Sequence, residues 1–291
     1  MKQTRTFVLF NLLGIFTLLL PLLFIFNACN PEPNIENEPY NIVLGHRGSG
    51  SDSFQQKDSL LPIENTYEAM EFAFSKLGGA ETDIQMSTDG TIWLWHDDYV
   101  GTETINCIPC LSDEQILELL PEEESIAKLS DVVQLLANSS EKRFLSLDVK
   151  GYFTNCSFDH TPYFDRMSDS IISLATRFGV EDRLMVETNY SQILDFIKSK
   201  NARIDCYLLG YTNFTGTIDK ASEKGYAGVS FNFNDSTFNE TNMRYLRSKG
   251  LKIQLWSIYS ANSYNQCLAL KPNFIQAGYF GFLEEDSVKS N

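Results

Sequence analysis

The feature that most constrains this chain is a rhythm: short β-rich runs recur along it, and each is followed by a stretch with helical spacing or by polar turn residues. Eight such runs are read at 42–45, 80–85, 144–149, 184–187, 204–209, 227–231, 251–256 and 274–277. Helical spacing lies between them at 65–77, 162–178, 191–199, 217–224, 236–248 and 261–270, and Gly179, Gly225 and Gly250 stand where a left-handed residue stops a helix. Alternation of this kind requires a parallel sheet covered by helices. Eight β/α units in about 250 residues predict an α/β fold of the TIM (β/α)8 barrel type in preference to a doubly wound sheet. The longest interruption, 97–129, predicts an insertion after the second strand, led into by a β-extension at 91–95.

Residues 1–28 stand apart from this rhythm. Lys2 and Arg5 precede an apolar run from Phe7 to Phe26, closed by Asn27, Ala28 and Cys29. A positive start, an apolar middle and a small-residue end predict a secretory signal peptide. Cys29 directly after Ala28 resembles the lipobox of bacterial lipoproteins, in which the signal is cut before the Cys and the thiol is acylated. The alternative is an uncleaved transmembrane anchor, since the run is long enough to span a bilayer; no charged stop-transfer flank follows it. Either reading puts the domain outside the cytoplasm, and the first makes it an exported lipoprotein held at the membrane through Cys29. Residues 29–39, acidic and Pro-rich, read as an extended tether, with the folded domain at 40–291.

Lys and Arg number 23 against 38 Asp and Glu, a net charge of −15. Such a surface repels nucleic acid phosphates, so an anionic substrate needs a local site. Beyond Cys29 the cysteines are Cys107, Cys110, Cys156, Cys206 and Cys267, an odd set that leaves at least one unpaired. Cys107 and Cys110 form a C-x-x-C without a second pair at zinc spacing; a local loop staple is expected there.

Residues at the C-terminal ends of barrel strands face the active site, and the charged residues collect there. The first strand ends in Gly45-His46-Arg47-Gly48, the second carries Glu81-Thr82-Asp83, the β-extension ends in His96-Asp97-Asp98, and the third strand ends in Asp148-Val149-Lys150. Of the three histidines, His46 and His96 stand at strand ends beside charged residues, the context of acid–base chemistry. His160 has no such context and reads as structural. Glu81 and Asp83, two apart on a strand, share one face, and Asp148 on the next strand can reach the same space. Three carboxylates so close need a cation, and hard oxygen ligands select Mg²⁺ or Ca²⁺. The alternative is that some of them make salt bridges with Arg47 or Lys150.

The ordered set His46-Arg47-Gly48, Glu64-Asn65-Thr66, Glu81-x-Asp83 and His96-Asp97 resembles the signature of glycerophosphodiester phosphodiesterases. Asp148-Val149-Lys150, Trp256-Ser257-Ile258 and the closing strand at Phe274 also have counterparts in that family. The resemblance implies a TIM barrel, a divalent metal, and hydrolysis of glycerophosphodiesters to sn-glycerol 3-phosphate and an alcohol. It departs from the family at three points: a polar insertion at 49–59, Ile63 between Pro62 and Glu64, and Asp148 where Glu is usual.

The resemblance also implies the roles. Glu81, Asp83 and Asp148 hold the metal; Arg47 and Lys150 neutralise phosphoryl oxygens; His46 serves as base and His96 as acid. Glu64 and Asn65 orient neighbouring groups or bind glycerol hydroxyls, and Trp256 forms an apolar wall. Two other readings remain open. A phospholipase D-like or C-like enzyme acting on intact or lyso lipids would need an apolar rim, which Tyr152, Phe153, Phe158, Tyr163 and Phe164 could supply. A non-catalytic surface lipoprotein binding phosphorylated ligands would have no need of both histidines.

Overall fold

The computed structural model describes residues 40–50, 61–120, 125–151, 155–234 and 238–281. The chain divides into Met1–Glu32 and Pro33–Asn291; the signal segment, Cys29, the tether, nearly all of the 49–59 insertion, Tyr152 and Phe153 lie outside the described residues.

Eight parallel strands close into a barrel: β1 (Ile42–Gly45), β2 (Gly79–Met86), β4 (Phe144–Val149), β5 (Leu184–Thr188), β6 (Asp205–Gly210), β7 (Gly228–Asn232), β8 (Lys252–Ile258) and β9 (Phe274–Ala277). They run in the order β1-β9-β8-β7-β6-β5-β4-β2, and a β1–β2 pairing completes the ring. β3 (Ile92–Leu94) pairs antiparallel with β2. Helices α1 (Tyr67–Lys76), α2 (Asp113–Leu119), α3 (Leu129–Asn138), α4 (His160–Phe178), α5 (Ser191–Lys200), α6 (Phe214–Lys224), α7 (Glu240–Ser248) and α8 (Ala261–Ala269) complete the element order. The strands are almost wholly buried, as parallel strands covered on both faces must be. Leu44, Met185, Tyr207 and Phe274 pack together as a separate cluster, while a large continuous core joins strands to helices.

The barrel and its insertion agree with the sequence reading. Gly179 and Gly225 cap α4 and α6 at φ 67° and 64°, values that favour glycine. Four helices differ at their starts: α1 and α7 begin later than the spacing predicts, after the Thr66 and Asn239 caps, and α4 and α6 begin earlier. α4 begins two residues before Pro162, which the first turn tolerates because its missing N–H would have no helical partner; Asp159 caps it by accepting from the Thr161 N–H. α6 begins at Phe214, capped by Asn213, so Gly216 lies inside it. α2 and α3 add helices to the region read as an excursion and the stretch beyond it. α3 starts after Lys128, which makes no side-chain cap bond, so the usual start signal is missing. The excursion has its own small core of Trp93, Val100, Ile108, Leu111 and Ile116.

The local cysteine staple is corrected. Cys107 bonds to Cys156, 49 residues away, tying the excursion to the loop between β4 and α4. Cys107 is buried and Cys110 exposed, so their thiols face different surroundings although only a short 3-10 turn separates them.

Candidate active site

At the C-terminal mouth of the barrel, a cavity of about 220 Å³ is lined by residues from β2, β4, β5, β6, β8 and β9 and from the loops that follow β1, β3, β4, β6 and β8. His46, Arg47, Glu81, Asp83, His96, Asp148, Lys150 and Trp256, all singled out by the sequence, line it together. Two larger grooves, of about 620 and 600 Å³, lie elsewhere and gather no comparable set of acids and histidines.

The His46-Arg47-Gly48 turn is built around backbone geometry. Arg47 has φ 52° and Asn65 φ 55°, left-handed values that non-glycine residues adopt at a cost and hold where the surroundings impose them. The Arg47 N–H donates to Glu81 Oε2 (2.9 Å) and the Asn65 N–H to the Arg47 carbonyl (3.0 Å). Gly48, at φ 83°, lies so close to Ala69 that a Cβ would collide with it. The turn therefore presses its backbone against α1 and delivers two side chains to the cavity.

Glu64 and Asn65 stand behind the cavity wall. The Arg47 guanidinium pairs with Glu64 Oε1 (2.5 Å) and Asp83 Oδ2 (3.2 Å). Asn65 Nδ2 donates to Asp83 Oδ2 (2.9 Å), and its Oδ1 accepts from the Thr82 hydroxyl (2.8 Å). Thr66 then caps α1, accepting from the Ala69 N–H. One tripeptide thus fixes Arg47, fixes Asp83 and starts a helix.

Oxygens of Glu81, Asp83 and Asp148 come within 4.8 Å of one another. Asp83 and Asp148 are register partners on β2 and β4, and Lys150 Nζ bridges them at 2.8 and 2.6 Å. The salt bridges and the carboxylate cluster are therefore both present. Burial raises the Asp83 pKa, but Lys150, His96 and Arg47 outweigh it and hold Asp83 well below the usual carboxylate range. Burial, then the charges of Asp83 and Glu187, pushes Glu81 well above that range. Burial also raises Asp148, against Lys150. A buried anionic excess of hard oxygens fits a hard divalent cation, and Glu81, Asp83 and Asp148 are the residues that would hold it.

The histidines differ in setting. His46 is buried, with Nε2 3.8 Å from Glu81 Oε2. Burial first, then the Arg47 charge, pushes it down to about 3, so its imidazole is neutral and able to accept a proton. His96 is more open, and its Nδ1 lies 2.8 Å from Asp97 Oδ1. That contact, through the hydrogen bond, lowers the Asp97 pKa.

Several groups in or beside the cavity have no role in the sequence reading. Gln85, fully buried, continues the inward face of Glu81 and Asp83; its Nε2 donates to the carbonyls of Trp95 (3.1 Å) and Asp97 (2.8 Å). Glu187 ends the inward face of β5, a strand-end position that its place in the sequence already marked, and Gln276 Nε2 on β9 donates to its Oε1 (2.6 Å). Tyr211 and Tyr259 flank the mouth, and neither has a local signature. Trp256 precedes Ser257, which has φ 67°, where the β8–β9 pairing shifts register; its indole Nε1 is buried without a hydrogen-bond partner among the described residues. His160, read as structural, opens α4 and contacts the Gly151 carbonyl. The apolar rim is corrected: Tyr163 and Phe164 are buried in the core, and Phe158 packs on Tyr163, because α4 turns this face toward the barrel.

Solved structures with the same fold include a glycerophosphodiester phosphodiesterase of Parabacteroides distasonis, 13% identical, with a TM-score of 0.70 over 87% of this chain and 100% of that one. A glycerophosphodiester phosphodiesterase of Thermotoga maritima is 18% identical, with a TM-score of 0.61 over 87% and 99%. An Oleispira antarctica phosphodiesterase, solved in complex with the product sn-glycerol-3-phosphate, is 16% identical, with a TM-score of 0.65 over 87% and 98%. No match is found among curated proteins. Residues 46–273, which include every cavity residue except Gln276, match the model of the Glycerophosphoryl diester phosphodiesterase family. With most of its length matched and the barrel in place, the chain belongs to that family.

Proposed function

We propose that this chain hydrolyses glycerophosphodiesters to sn-glycerol 3-phosphate and an alcohol, using a divalent cation held by Glu81, Asp83 and Asp148. The observation that carries the reading is a neutral, buried His46 and a partly exposed, carboxylate-paired His96 lining one cavity with those three acids. When bound, the cation supplies Lewis-acid stabilisation of charge on phosphoryl oxygens. Arg47 and Lys150 neutralise the same oxygens and orient the diester. Neutral His46 takes the proton from the attacking oxygen as the P–O bond forms. His96, steadied by Asp97, gives a proton to the departing alkoxide as the other P–O bond breaks. Glu64 and Asn65 keep Arg47 and Asp83 in place, and Trp256 walls the pocket.

Burial of Tyr163 and Phe164 removes part of the rim that an intact-lipid substrate would need, which favours water-soluble diesters. The test is turnover of a panel of glycerophosphodiesters beside a lysophospholipid, followed by ³¹P NMR. Glycerol phosphate from the soluble diesters supports the reading, and turnover of the lysophospholipid alone contradicts it. The same reading makes residues 1–28 a signal peptide, 29–39 a tether, 40–291 the catalytic domain, and Cys29 the lipid anchor of an exported, membrane-held protein. Mass spectrometry should find an acylated Cys29 at the mature N-terminus and none in Cys29→Ala; a wild-type start elsewhere contradicts it.

A further inference from the structure

Asp83, Asp148 and Glu187 form a row across the barrel wall. Asp83 is the register partner of Asp148 on β2 and β4, and Asp148 is the register partner of Glu187 on β4 and β5. All three line the cavity, with Glu81 one inward position deeper on β2. Against these four carboxylates stand two cationic side chains, and both are already engaged. Arg47 pairs with Glu64 and Asp83, and Lys150 with Asp83 and Asp148. Among the described residues Glu187 forms no ion pair, Lys150 acting on it only at longer range. It is 2% exposed, and its Oε1 is fixed by Gln276 Nε2 reaching across the lumen from β9. Its Oε2 meets no donor at full hydrogen-bond geometry among the described residues; the Ser230 hydroxyl stands close enough to favour its charged form.

A buried carboxylate oxygen without a donor is costly unless something positive completes it. Asp148 is one methylene shorter than the Glu usual at its position, and Glu187 on the next strand restores a long acidic side chain to the same wall. Adjacent strands lie about 4.8 Å apart, so donors spread over three strands make a wide, carboxylate-rich cradle. Mg²⁺ demands short, near-octahedral bonds and commonly takes one or two carboxylates, whereas Ca²⁺ accepts more oxygens at longer and less regular distances. We infer that Glu187 is a fourth acidic group of the cation site and that this site takes Ca²⁺ in preference to Mg²⁺. The inference rests on the metal-dependent reading proposed above.

The test is calorimetric titration of chelator-stripped, dialysed protein with Ca²⁺ and with Mg²⁺, together with the rise in Tm that each ion produces. Wild type should bind Ca²⁺ more tightly than Mg²⁺. Glu187→Gln keeps the acceptor for Gln276 and removes the charge; its Ca²⁺ affinity should fall about 10- to 100-fold, its Mg²⁺ affinity less, and the Ca²⁺-induced rise in Tm should shrink. Glu187→Asp, which keeps the charge and draws it back, should lose less, and serves if the Gln variant does not fold. Unchanged Ca²⁺ binding in both variants, equal losses for the two ions, or a wild-type preference for Mg²⁺ would overturn the inference while leaving metal dependence standing. A wild-type protein that binds neither ion would overturn the metal reading beneath it.

Discussion

Gln85 holds His96 through the backbone: its side-chain amide donates to the carbonyl before the histidine, on Trp95, and to the one after it, on Asp97, at 3.1 and 2.8 Å. His96 itself is partly exposed and sits beyond the end of β3, so this buried clamp fixes its distance from the carboxylates. Gln85→Leu leaves two carbonyls without that donor and should cost about 1–3 kcal/mol of stability. It should also lower kcat on an alkyl glycerophosphodiester with little change in KM. An unchanged kcat in a folded variant would show that the clamp is structural only.

The two histidines should separate by leaving group. An alkoxide needs protonation as it departs, and a positioned general acid contributes about 10²- to 10⁴-fold, whereas a nitrophenolate leaves without much help. His96→Ala should lose far more activity on an alkyl diester than on a nitrophenyl diester, and His46→Ala should impair both alike. Equal losses for His96→Ala remove its role as acid, and the opposite pattern exchanges the two roles.

Stability should depend on pH through His46. Its pKa falls from 6.5 in the unfolded chain to about 3 in the fold, so below pH 6.5 the unfolded state binds a proton that the native state does not. The stability that neutral His46 allows is fully present above about 6.5 and drains away as pH falls toward 3, at up to about 1.4 kcal/mol per pH unit. Chemical denaturation of metal-stripped wild type and His46→Gln at several pH values measures this. The wild type should lose ground to the variant across that window, and a difference constant with pH would contradict the assignment.

The Cys107–Cys156 bond closes a long loop, with a sequence separation of 49. The chain-entropy argument gives such a cross-link about 4 kcal/mol of stability. Cys107→Ala/Cys156→Ala should melt well below wild type in a non-reducing buffer, while Cys110→Ser should melt with it. The reverse order would restore the local staple.

The barrel was legible because parallel strands buried on both faces read as apolar runs, and β1, β4 and β9 fall at the bounds read from sequence. Most of the site was legible too, since Glu81-x-Asp83 and the two histidines stand at strand ends. Glu187 and Gln276 were not given a part, because their meaning lies in a hydrogen bond across the lumen between residues 89 positions apart. The Cys156 partnership was hidden for the same reason, whereas Cys107 and Cys110 advertise a nearness in sequence that the fold does not use. α3 carries an apolar face but no capping residue, so the pattern lacked a start.

The central claim is a cation-dependent hydrolysis at Glu81, Asp83 and Asp148, and its most direct test is turnover of a glycerophosphodiester by exhaustively chelated protein, with each divalent ion added back singly. The account predicts no turnover in the stripped protein, glycerol phosphate and free alcohol once the ion returns, and little restoration in Asp148→Asn at ion levels that saturate the wild type. Full activity after chelation, with Asp148→Asn indifferent to added ions, would contradict it.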